Sequence, residues 1–86
     1  YSKLNDNTFV FDGKTSLQDF YAVTKLFNKD DFEHHKGESE TVAGFLLEQL
    51  GSFPKVNTTF RFKKVVFTIE AVDRKRIKQI KVQLGA

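Results

Sequence analysis

The sequence predicts an α+β domain in which two helices pack on one face of an antiparallel sheet. Two segments repeat apolar residues at three- and four-residue spacing, which is typical of helices with one buried face. Three later segments alternate apolar and polar residues, which is typical of half-buried strands. The chain has 86 residues with ten Phe and no Cys, Met or Trp. An aromatic core must therefore hold a single small domain together without disulfides.

The first part of the chain predicts one strand followed by one helix. Residues 1–7 are polar, and we expect them to fray. Residues 8–11 alternate between two faces and precede a turn signal, which predicts a strand. Thr15 and Gln18 have the spacing of a capping box, which predicts Thr15 as the N-cap of the first helix. The apolar positions of this helix are Leu17, Phe20, Tyr21, Val23, Leu26 and Phe27.

The second predicted helix is the longest apolar segment and should be mostly buried. Ser39 or Thr41 is expected to cap its start by accepting a backbone N–H, and Gly51 to close its end in the left-handed conformation. Pro54 then prevents the helix from restarting. Its apolar positions are Val42, Ala43, Phe45, Leu46, Leu47 and Leu50.

Three strands are predicted after the second helix, at residues 58–62, 65–72 and 78–84. Short turns join them, which indicates an antiparallel meander. Phe67, Ile69 and Ala71 are expected to share one face of the middle strand. The complete predicted order is β-α-α-β-β-β, with both helices on one face of the sheet.

The segment before the second helix concentrates acidic and imidazole side chains. Residues 28–38 are predicted to be a surface loop with Phe32 as its apolar anchor. Oxygen-rich loops suit Mg²⁺ or Ca²⁺, but the spacing here matches no EF-hand, and adjacent His residues converge poorly on one ion. We therefore predict a solvated loop with no tight metal site. The side chains considered are Asp30, Asp31, Glu33, His34, His35, Glu38 and Glu40.

Charge is distributed unevenly along the chain. Residues 1–54 carry five Lys or Arg against nine Asp or Glu, and residues 55–86 carry nine against two. This asymmetry indicates either a basic sheet face opposite an acidic helical side, or solvated strand positions that Lys and Arg happen to fill. The predicted partner or anion contacts lie on the basic hairpins, at Arg61, Lys63, Lys64, Arg74, Lys75 and Arg76.

Such hairpins could bind a nucleotide phosphate, nucleic acid or acidic lipid. Phe60 and Phe62 share the face that the core needs, so stacking on bases would compete with folding. Residues 12–16 superficially resemble a phosphate loop but lack its Gly-x-x-x-x-Gly-Lys-Ser/Thr spacing, and we interpret them as a helix-capping turn. No nucleophile motif or Ser-His-Asp order is present, which favours a non-enzyme.

Four short motifs occur in order along nearly the whole chain. They are Asp-Gly-Lys-Thr-Ser-Leu at 12–17, Thr-Val-Ala-Gly at 41–44, Leu-Gly-Ser-Phe-Pro at 50–54, and a hairpin at 67–77 with Phe-Thr-Ile, Val-Asp and Arg-Ile. Together they resemble the CorC/HlyC transporter-associated domain. The sequence departs from that family at Ala43, Asn57 and Lys63-Lys64, where Gly is usual. Asn and Lys tolerate a positive φ less well than Gly.

The resemblance implies a fold similar to part of the FAD-binding (PCMH-like) domain of vanillyl-alcohol-oxidase-type flavoproteins. It also implies a soluble accessory domain, residues 1–86, cut from a longer integral membrane protein and lying on the cytoplasmic side of the cell membrane. Its partners would be a pair of CBS domains and the membrane domain of the same chain. A homodimer is also expected, through an exposed apolar patch or an edge strand.

The function that the resemblance implies is regulatory. The domain would modulate the transport of divalent cations in a magnesium/cobalt efflux or haemolysin-related protein, and the family offers no catalytic residues. An adenine-nucleotide sensor is the first alternative, since the fold relatives bind FAD, although fold analogy is a weak argument for a ligand. A basic nucleic-acid-binding module is the second alternative. We expect no resident cofactor.

Overall fold

The computed structural model describes residues 1–25 and 29–85. Within them it has five strands and three helices in the order β-β-α-α-α-β-β-β, which confirms the predicted α+β class. The predictions for Leu26, Phe27 and Asn28 lie outside the described residues. The elements are β1 Ser2–Asn5, β2 Thr8–Asp12, α1 Leu17–Thr24, α2 Lys29–His35, α3 Val42–Leu50, β3 Thr59–Phe62, β4 Val65–Val72 and β5 Ile77–Leu84.

The sheet is antiparallel, with the strand order β1-β2-β5-β4-β3. The last strand in the chain is therefore the central one, and β1 and β3 form the two edges. Val82 of β5 is flanked by Phe9 of β2 and Phe67 of β4. Partners in an antiparallel ladder share a face, so register places one apolar face towards the helices. Its buried members are Phe9, Phe11, Phe62, Val65, Phe67, Ile69, Ile80 and Val82.

Strand β1 forms where the sequence predicted a frayed terminus. Ser2 pairs with Val10 and Lys3 with Phe9, although all four residues of β1 are exposed. A fully exposed edge strand is held by backbone hydrogen bonds and needs no apolar alternation. Its side chains therefore carry no periodic signal, and the prediction of fraying was wrong.

Helix α2 occupies most of the predicted loop. Phe32 is completely buried, with its ring centroid 4.7 Å from that of Phe62 and 5.0 Å from that of Phe45. Acidic residues lie in the first turn and His34 and His35 in the last, which suits the helix dipole. One aromatic anchor is enough to fold this polar segment against the core, so the loop prediction was wrong.

The N-cap of α1 is Ser16, one residue later than predicted. The backbone N–H of Asp19 donates to Ser16 Oγ at 3.1 Å. Thr15 has another role, because its carbonyl accepts the backbone N–H of Val42 at 2.9 Å and so connects α1 to α3. This tertiary hydrogen bond keeps Thr15 outside the helix and overrides its capping-box spacing.

Helix α3 begins and ends as predicted. Thr41 Oγ1 accepts the backbone N–H of Gly44 at 3.0 Å, so Thr41 rather than Ser39 is the N-cap. Gly51 closes the helix with φ 74° and donates its N–H to Leu47. No helix within the described residues is long and apolar enough to cross a membrane.

A bulge in β4 changes which face its last residues occupy. Ile69 pairs with Ile80, but Ala71 pairs with Gln79, so β4 advances two residues while β5 advances one. Ala71 consequently shares the outer face with Gln79, and Val72 packs against the core. The prediction that Ala71 shares a face with Phe67 and Ile69 was wrong, because strict alternation does not survive a bulge.

Candidate functional site

The six predicted contact residues lie at opposite ends of β4. Arg61, Lys63 and Lys64 belong to the end of β3 and the β3–β4 turn, whereas Arg74, Lys75 and Arg76 form the β4–β5 turn. All six are exposed. The eight residues of β4 span about 26 Å at the usual rise of a strand. The structure therefore presents two separate basic clusters of three residues each.

The β3–β4 turn is fixed by contacts with the rest of the fold. Gly85 donates its N–H to the carbonyl of Lys64 at 2.6 Å, and Arg61 Nε donates to the carbonyl of Lys63 at 3.3 Å. Lys63 has φ 57°, a left-handed conformation that glycine adopts more easily. The buried ring of Phe62 beside the turn packs against His35 of α2, at a centroid distance of 5.2 Å.

The β4–β5 turn is organised by its own first residue. Asp73 Oδ1 accepts the backbone N–H groups of Lys75 and Arg76, each at 3.1 Å, and the N–H of Asp73 donates to the carbonyl of Arg76 at 2.9 Å. These hydrogen bonds, led by that from Lys75, hold the pKa of the Asp73 carboxyl below its ordinary value. The carboxylate thus faces its own backbone and leaves the basic side chains free to extend.

Among the described residues, no acidic group lies within salt-bridge distance of the β4–β5 turn cations. In the part of the chain that the structure describes, the one ion pair joins Lys3 to Asp6 at 3.8 Å, on the distant edge strand. The side chains of Arg74, Lys75 and Arg76 are therefore available to an external anionic group.

The loop after α3 places apolar side chains at the same end of the sheet. We call residues 53–57 the Phe53 loop. Phe53 is 42% exposed and Val56 47% exposed. The N–H of Asn57 donates to the carbonyl of Ile69 at 2.7 Å, which fixes the loop beside the second half of β4. Asn57 has φ 72°, so it takes the left-handed conformation that glycine usually supplies.

In residues 1–25 and 29–85, one hydrogen bond between side chains connects two helices. The hydroxyl of Tyr21 on α1 donates to Glu33 Oε2 on α2 at 2.7 Å. Burial, followed by the hydrogen bond and the negative charge of Glu33, raises the pKa of the Tyr21 hydroxyl. Because Tyr21 stays neutral at physiological pH, this contact joins two short helices rather than supplying a base.

A small polar pocket lies next to that hydrogen bond, between α1, α2 and the start of α3. Its volume is about 240 Å³, and it contains charges of both signs. Lys36 Nζ donates to the carbonyl of Ser39 at 3.3 Å, so its ammonium group is already used within the protein. The lining residues are Ser16, Leu17, Gln18, Glu33, Lys36, Ser39 and Glu40.

The acidic and imidazole groups considered as a metal site are spread along α2 and the segment after it. Among the described residues, no three of the His and carboxylate side chains form a group that could hold a metal ion. Glu33 is bonded to Tyr21, and His35 Nδ1 lies 2.8 Å from the carbonyl of Asp31. Helical geometry points the remaining side chains of α2 in different directions.

The turn at residues 12–16 is the predicted helix-capping turn. Asp12 Oδ1 accepts the N–H of Lys14 at 2.8 Å, and the carbonyl of Asp12 accepts the N–H of Thr15 at 3.0 Å. Gly13 carries no side chain because a Cβ there would overlap the carbonyl oxygen of Ile77. This close approach to β5 explains Gly13 without any phosphate ligand.

Sequence reasoning missed the exposure of Phe53 and Val56. Phe53 was interpreted only as part of the exit from α3. A signal was available, because Phe53 follows the helix-ending Gly51 and precedes Pro54, so it belongs to neither the helical stripe nor an alternating strand. The Tyr21–Glu33 hydrogen bond had no comparable signal, since its partners lie on separate helices 12 residues apart.

A family profile described as "Transporter associated domain", CorC_HlyC, matches residues 2–86. The chain belongs to the CorC/HlyC transporter-associated domain family. The predicted family is thereby confirmed over essentially the whole chain. The further similarity to part of an FAD-binding domain stays a prediction.

Relatives of this CorC/HlyC domain include transport proteins. The polyamine export proteins of Escherichia coli K12 and Salmonella typhimurium are each 30% identical to it over 78 residues, 91% of this chain. The chain spans only 17% of the length of those relatives.

Solved structures share the fold. The transporter-associated domain of a CBS domain protein from Porphyromonas gingivalis has 30% identity and a TM-score of 0.85, with coverage of 96% of this chain and 94% of that one. A CorC_HlyC domain of a Xylella fastidiosa haemolysin, described in complex with Mg²⁺ and Mn²⁺, has 21% identity and a TM-score of 0.77, with coverage of 100% and 96%.

Proposed function

We propose that this CorC/HlyC domain is a non-catalytic regulatory domain of a cation-transporting membrane protein. The observation that carries the proposal is the family match over residues 2–86. The surface supports it, because the depression lined by residues 73–76 is wide open to solvent, and the pocket beside the start of α3 is small and of mixed charge. Such surfaces suit docking better than enclosure of a small ligand.

Docking regulates transport when the domain binds one arrangement of its neighbours better than another. The free-energy difference between the two contacts then sets how far the transport equilibrium shifts. The β4–β5 turn is suited to contact with an anionic group around the domain, because its three cations extend from a backbone that Asp73 already holds in place. A preorganised turn loses little entropy on binding.

The proposed cargo is a small cation. Two relatives support this class: the polyamine export proteins, and the Xylella fastidiosa domain described with Mg²⁺ and Mn²⁺. Divalent cations remain our first proposal, and a polyamine is the second. The 30% identity to the polyamine export proteins supports the polyamine. Both kinds of cargo carry two or more positive charges, although a metal ion is compact and a polyamine is a flexible chain.

The proposed context is one domain of a longer chain, on the cytoplasmic side of the membrane. The Porphyromonas gingivalis relative comes from a CBS domain protein, and the match covers only 17% of the length of the polyamine export proteins. A CBS-domain pair and a membrane domain of the same chain are therefore the proposed partners. A homodimer through an edge strand is a further prediction.

The direct test measures cation efflux by the full-length protein with and without this domain. Inverted membrane vesicles would carry equal amounts of either form, and the uptake of Mg²⁺, Co²⁺ and spermidine would be followed against cargo concentration. We expect the deletion to retain transport of one cargo while changing its concentration dependence several-fold, as a coupling energy of roughly 1–3 kcal/mol requires.

Two results would contradict this function. Identical transport curves for the two forms would show that the domain does not regulate, and complete loss of transport in correctly inserted protein would show that it belongs to the transport machinery itself. A matched pair of full-length variants refines the test: R74Q/K75Q/R76Q against R61Q/K63Q/K64Q, which remove equal charge from the two turns.

A nuclear magnetic resonance titration of the isolated chain tests the nucleotide alternative. ATP, AMP, FAD and Mg²⁺ would be added one at a time at moderate salt. We expect no saturable shift with any nucleotide. Saturable shifts clustered on one surface would favour the sensor, and their positions would identify its site.

A further inference from the structure

We infer that the β4–β5 turn and the Phe53 loop together form a docking surface for an anionic lipid bilayer. The surface consists of Arg74, Lys75 and Arg76, with Lys55 and the exposed apolar side chains of Phe53 and Val56. This goes beyond the regulatory role proposed above. It is tested on the chain alone, so either proposal can fail without the other.

The first support is charge. Cations outnumber acids in residues 53–57 and 70–78, and Asp73 is occupied by its own turn backbone. Lys and Arg projecting from a surface are attracted to anionic headgroups within about a Debye length. The charged residues of these two segments are Lys55, Arg74, Lys75, Arg76 and Lys78, against Glu70 and Asp73.

The second support is the apolar exposure beside these cations. Phe53 and Val56 are 42% and 47% exposed, and the other two exposed large apolar residues that the structure describes, Tyr1 and Leu4, lie at edge strand β1. Pro54 between Phe53 and Val56 is buried and anchors the loop. Phe53 and Val56 flank Lys55 in the sequence. In a bilayer, the apolar side chains would contact the acyl chains, and Lys55 would contact the anionic headgroups above them.

The third support is shape. The Asn57–Ile69 hydrogen bond fixes the Phe53 loop beside β4, four residues before the turn begins at Asp73. Four residues of strand span about 13 Å, so the two segments lie along the same end of the sheet, and the depression lined by residues 73–76 is open to solvent. A flat and extended anionic surface can contact both at once, whereas a small phosphate ligand would reach only one. An acidic protein would not require the two exposed apolar side chains.

The other basic cluster provides a matched control. Arg61, Lys63 and Lys64 carry the same three charges about 26 Å away, beyond the Debye length of roughly 8 Å at physiological salt. The ring next to them, that of Phe62, is buried and packs against Phe32 and Phe45. The β3–β4 turn therefore has three exposed cations, but the aromatic ring beside them is buried.

The first experiment measures co-sedimentation of the 86-residue chain with lipid vesicles. One set contains phosphatidylcholine alone, and the other contains phosphatidylcholine mixed equally with phosphatidylglycerol. We expect binding to the anionic set only. R74Q/K75Q/R76Q should weaken it roughly tenfold to hundredfold, at about fivefold per basic residue, and R61Q/K63Q/K64Q by less than about fivefold. Circular dichroism melting confirms that both variants fold.

The second experiment uses the absence of Trp from this chain. F53W introduces a single Trp reporter in the proposed surface, and L4W places one on edge strand β1, where Leu4 is 58% exposed. On addition of anionic vesicles we expect a blue shift of the F53W emission, because the indole leaves water. The L4W emission should not move.

Four outcomes would overturn the inference. The first is no preference for anionic vesicles, and the second is equal weakening by both triple variants, which would indicate net charge alone. The third is vesicle binding without any shift of the F53W emission. The fourth is binding to poly-glutamate but not to vesicles, which would assign the same turn to an acidic protein. Selective loss with R74Q/K75Q/R76Q together with the F53W shift would establish the bilayer surface.

Discussion

The two turns that bracket β4 carry equal positive charge but are stabilised in different ways. The β3–β4 turn depends on its surroundings: Gly85 bonds to it, and the neighbouring Phe62 ring is packed under α2 and α3. The β4–β5 turn is held by Asp73 within its own four residues. Substitutions in a turn that depends on core contacts tend to disturb the core. In a turn held by its own backbone hydrogen bonds, the outward side chains can be substituted without changing the fold. The second is therefore the better place for a binding surface.

Replacing Phe32, which packs beside the β3–β4 turn, and Phe53, which lies near the β4–β5 turn, should give the largest difference in the free energy of unfolding. Phe32→Ala removes the ring that packs against Phe62 and should lower the free energy of unfolding by about 3–5 kcal/mol, because it leaves a cavity in the core. Phe53→Ala should lower it by about 1–2 kcal/mol at most, since 42% of the residue is already exposed and its loss leaves no enclosed cavity. Urea denaturation followed by circular dichroism measures both, and equal losses would contradict the assignment of Phe53 to the surface.

A glycine approaches the backbone at each end of the sheet, and the two should differ in cost. At Gly13 a Cβ would overlap the carbonyl of Ile77, and the residue is held on both sides by hydrogen bonds to Lys78 and Ala43. Gly13→Ala should therefore destabilise by about 2–4 kcal/mol. At Gly85 a Cβ would lie 2.6 Å from the carbonyl of Lys64, but this residue follows the last strand and can shift. Thermal melting of G85A should show a loss of about 1 kcal/mol or less.

Lysine-to-glycine substitutions in the two turns should change the free energy of unfolding in opposite directions. Lys63 adopts φ 57°, so Lys63→Gly should relieve left-handed strain and raise the free energy of unfolding by roughly 0.5–1 kcal/mol. Lys75 is not among the residues with positive φ, so Lys75→Gly should lower it by a similar amount through unfolded-state entropy. Chemical denaturation of the two variants measures the signs, and stabilisation by both would refute this account of the β3–β4 turn.

The smallest effect concerns pH and Asp73. Its folded pKa is depressed by the backbone hydrogen bonds of the turn, led by Lys75. A depressed carboxyl pKa contributes stability above the unfolded value, about 3.9, and that contribution disappears as pH falls through the folded value. Wild type should therefore exceed Asp73→Asn in stability at neutral pH, and the two melting curves should converge below pH 4. A difference that persists in acid would assign another role to this carboxylate.

Most of the core could be predicted from sequence, because period-two and helical spacing report which face is buried. The meander and α3 followed from such patterns, and Thr41 was one of the two residues expected to cap α3. Strand β1 and helix α2 did not, since neither presents a periodic apolar face: β1 is wholly exposed and α2 has Phe32 alone. The bulge near Glu70 was also invisible, because it is a property of pairing between two strands.

The candidate surface was only half predictable for a related reason. Composition identified the six basic residues, and the predicted strand at 65–72 already divided them between two turns, but the sequence did not show that the Phe53 loop would lie beside the second turn. The apolar part was missed, because exposure of Phe53 is a tertiary property of the exit from α3. The sequence shows which residues are charged or apolar, but which of them lie together depends on how the strands and loops pack.

That sheet order also has a consequence for synthesis on the ribosome. Strand β5 lies between β2 and β4, yet it is the last strand to leave the exit tunnel. Until residues 77–84 emerge, β2 and β4 lack their main partner and expose unpaired backbone edges, which are prone to pair with other chains. Completion of the domain therefore depends on its final few residues. A nascent chain that stalls before Ile77 should be a substrate for chaperones rather than a partly working domain.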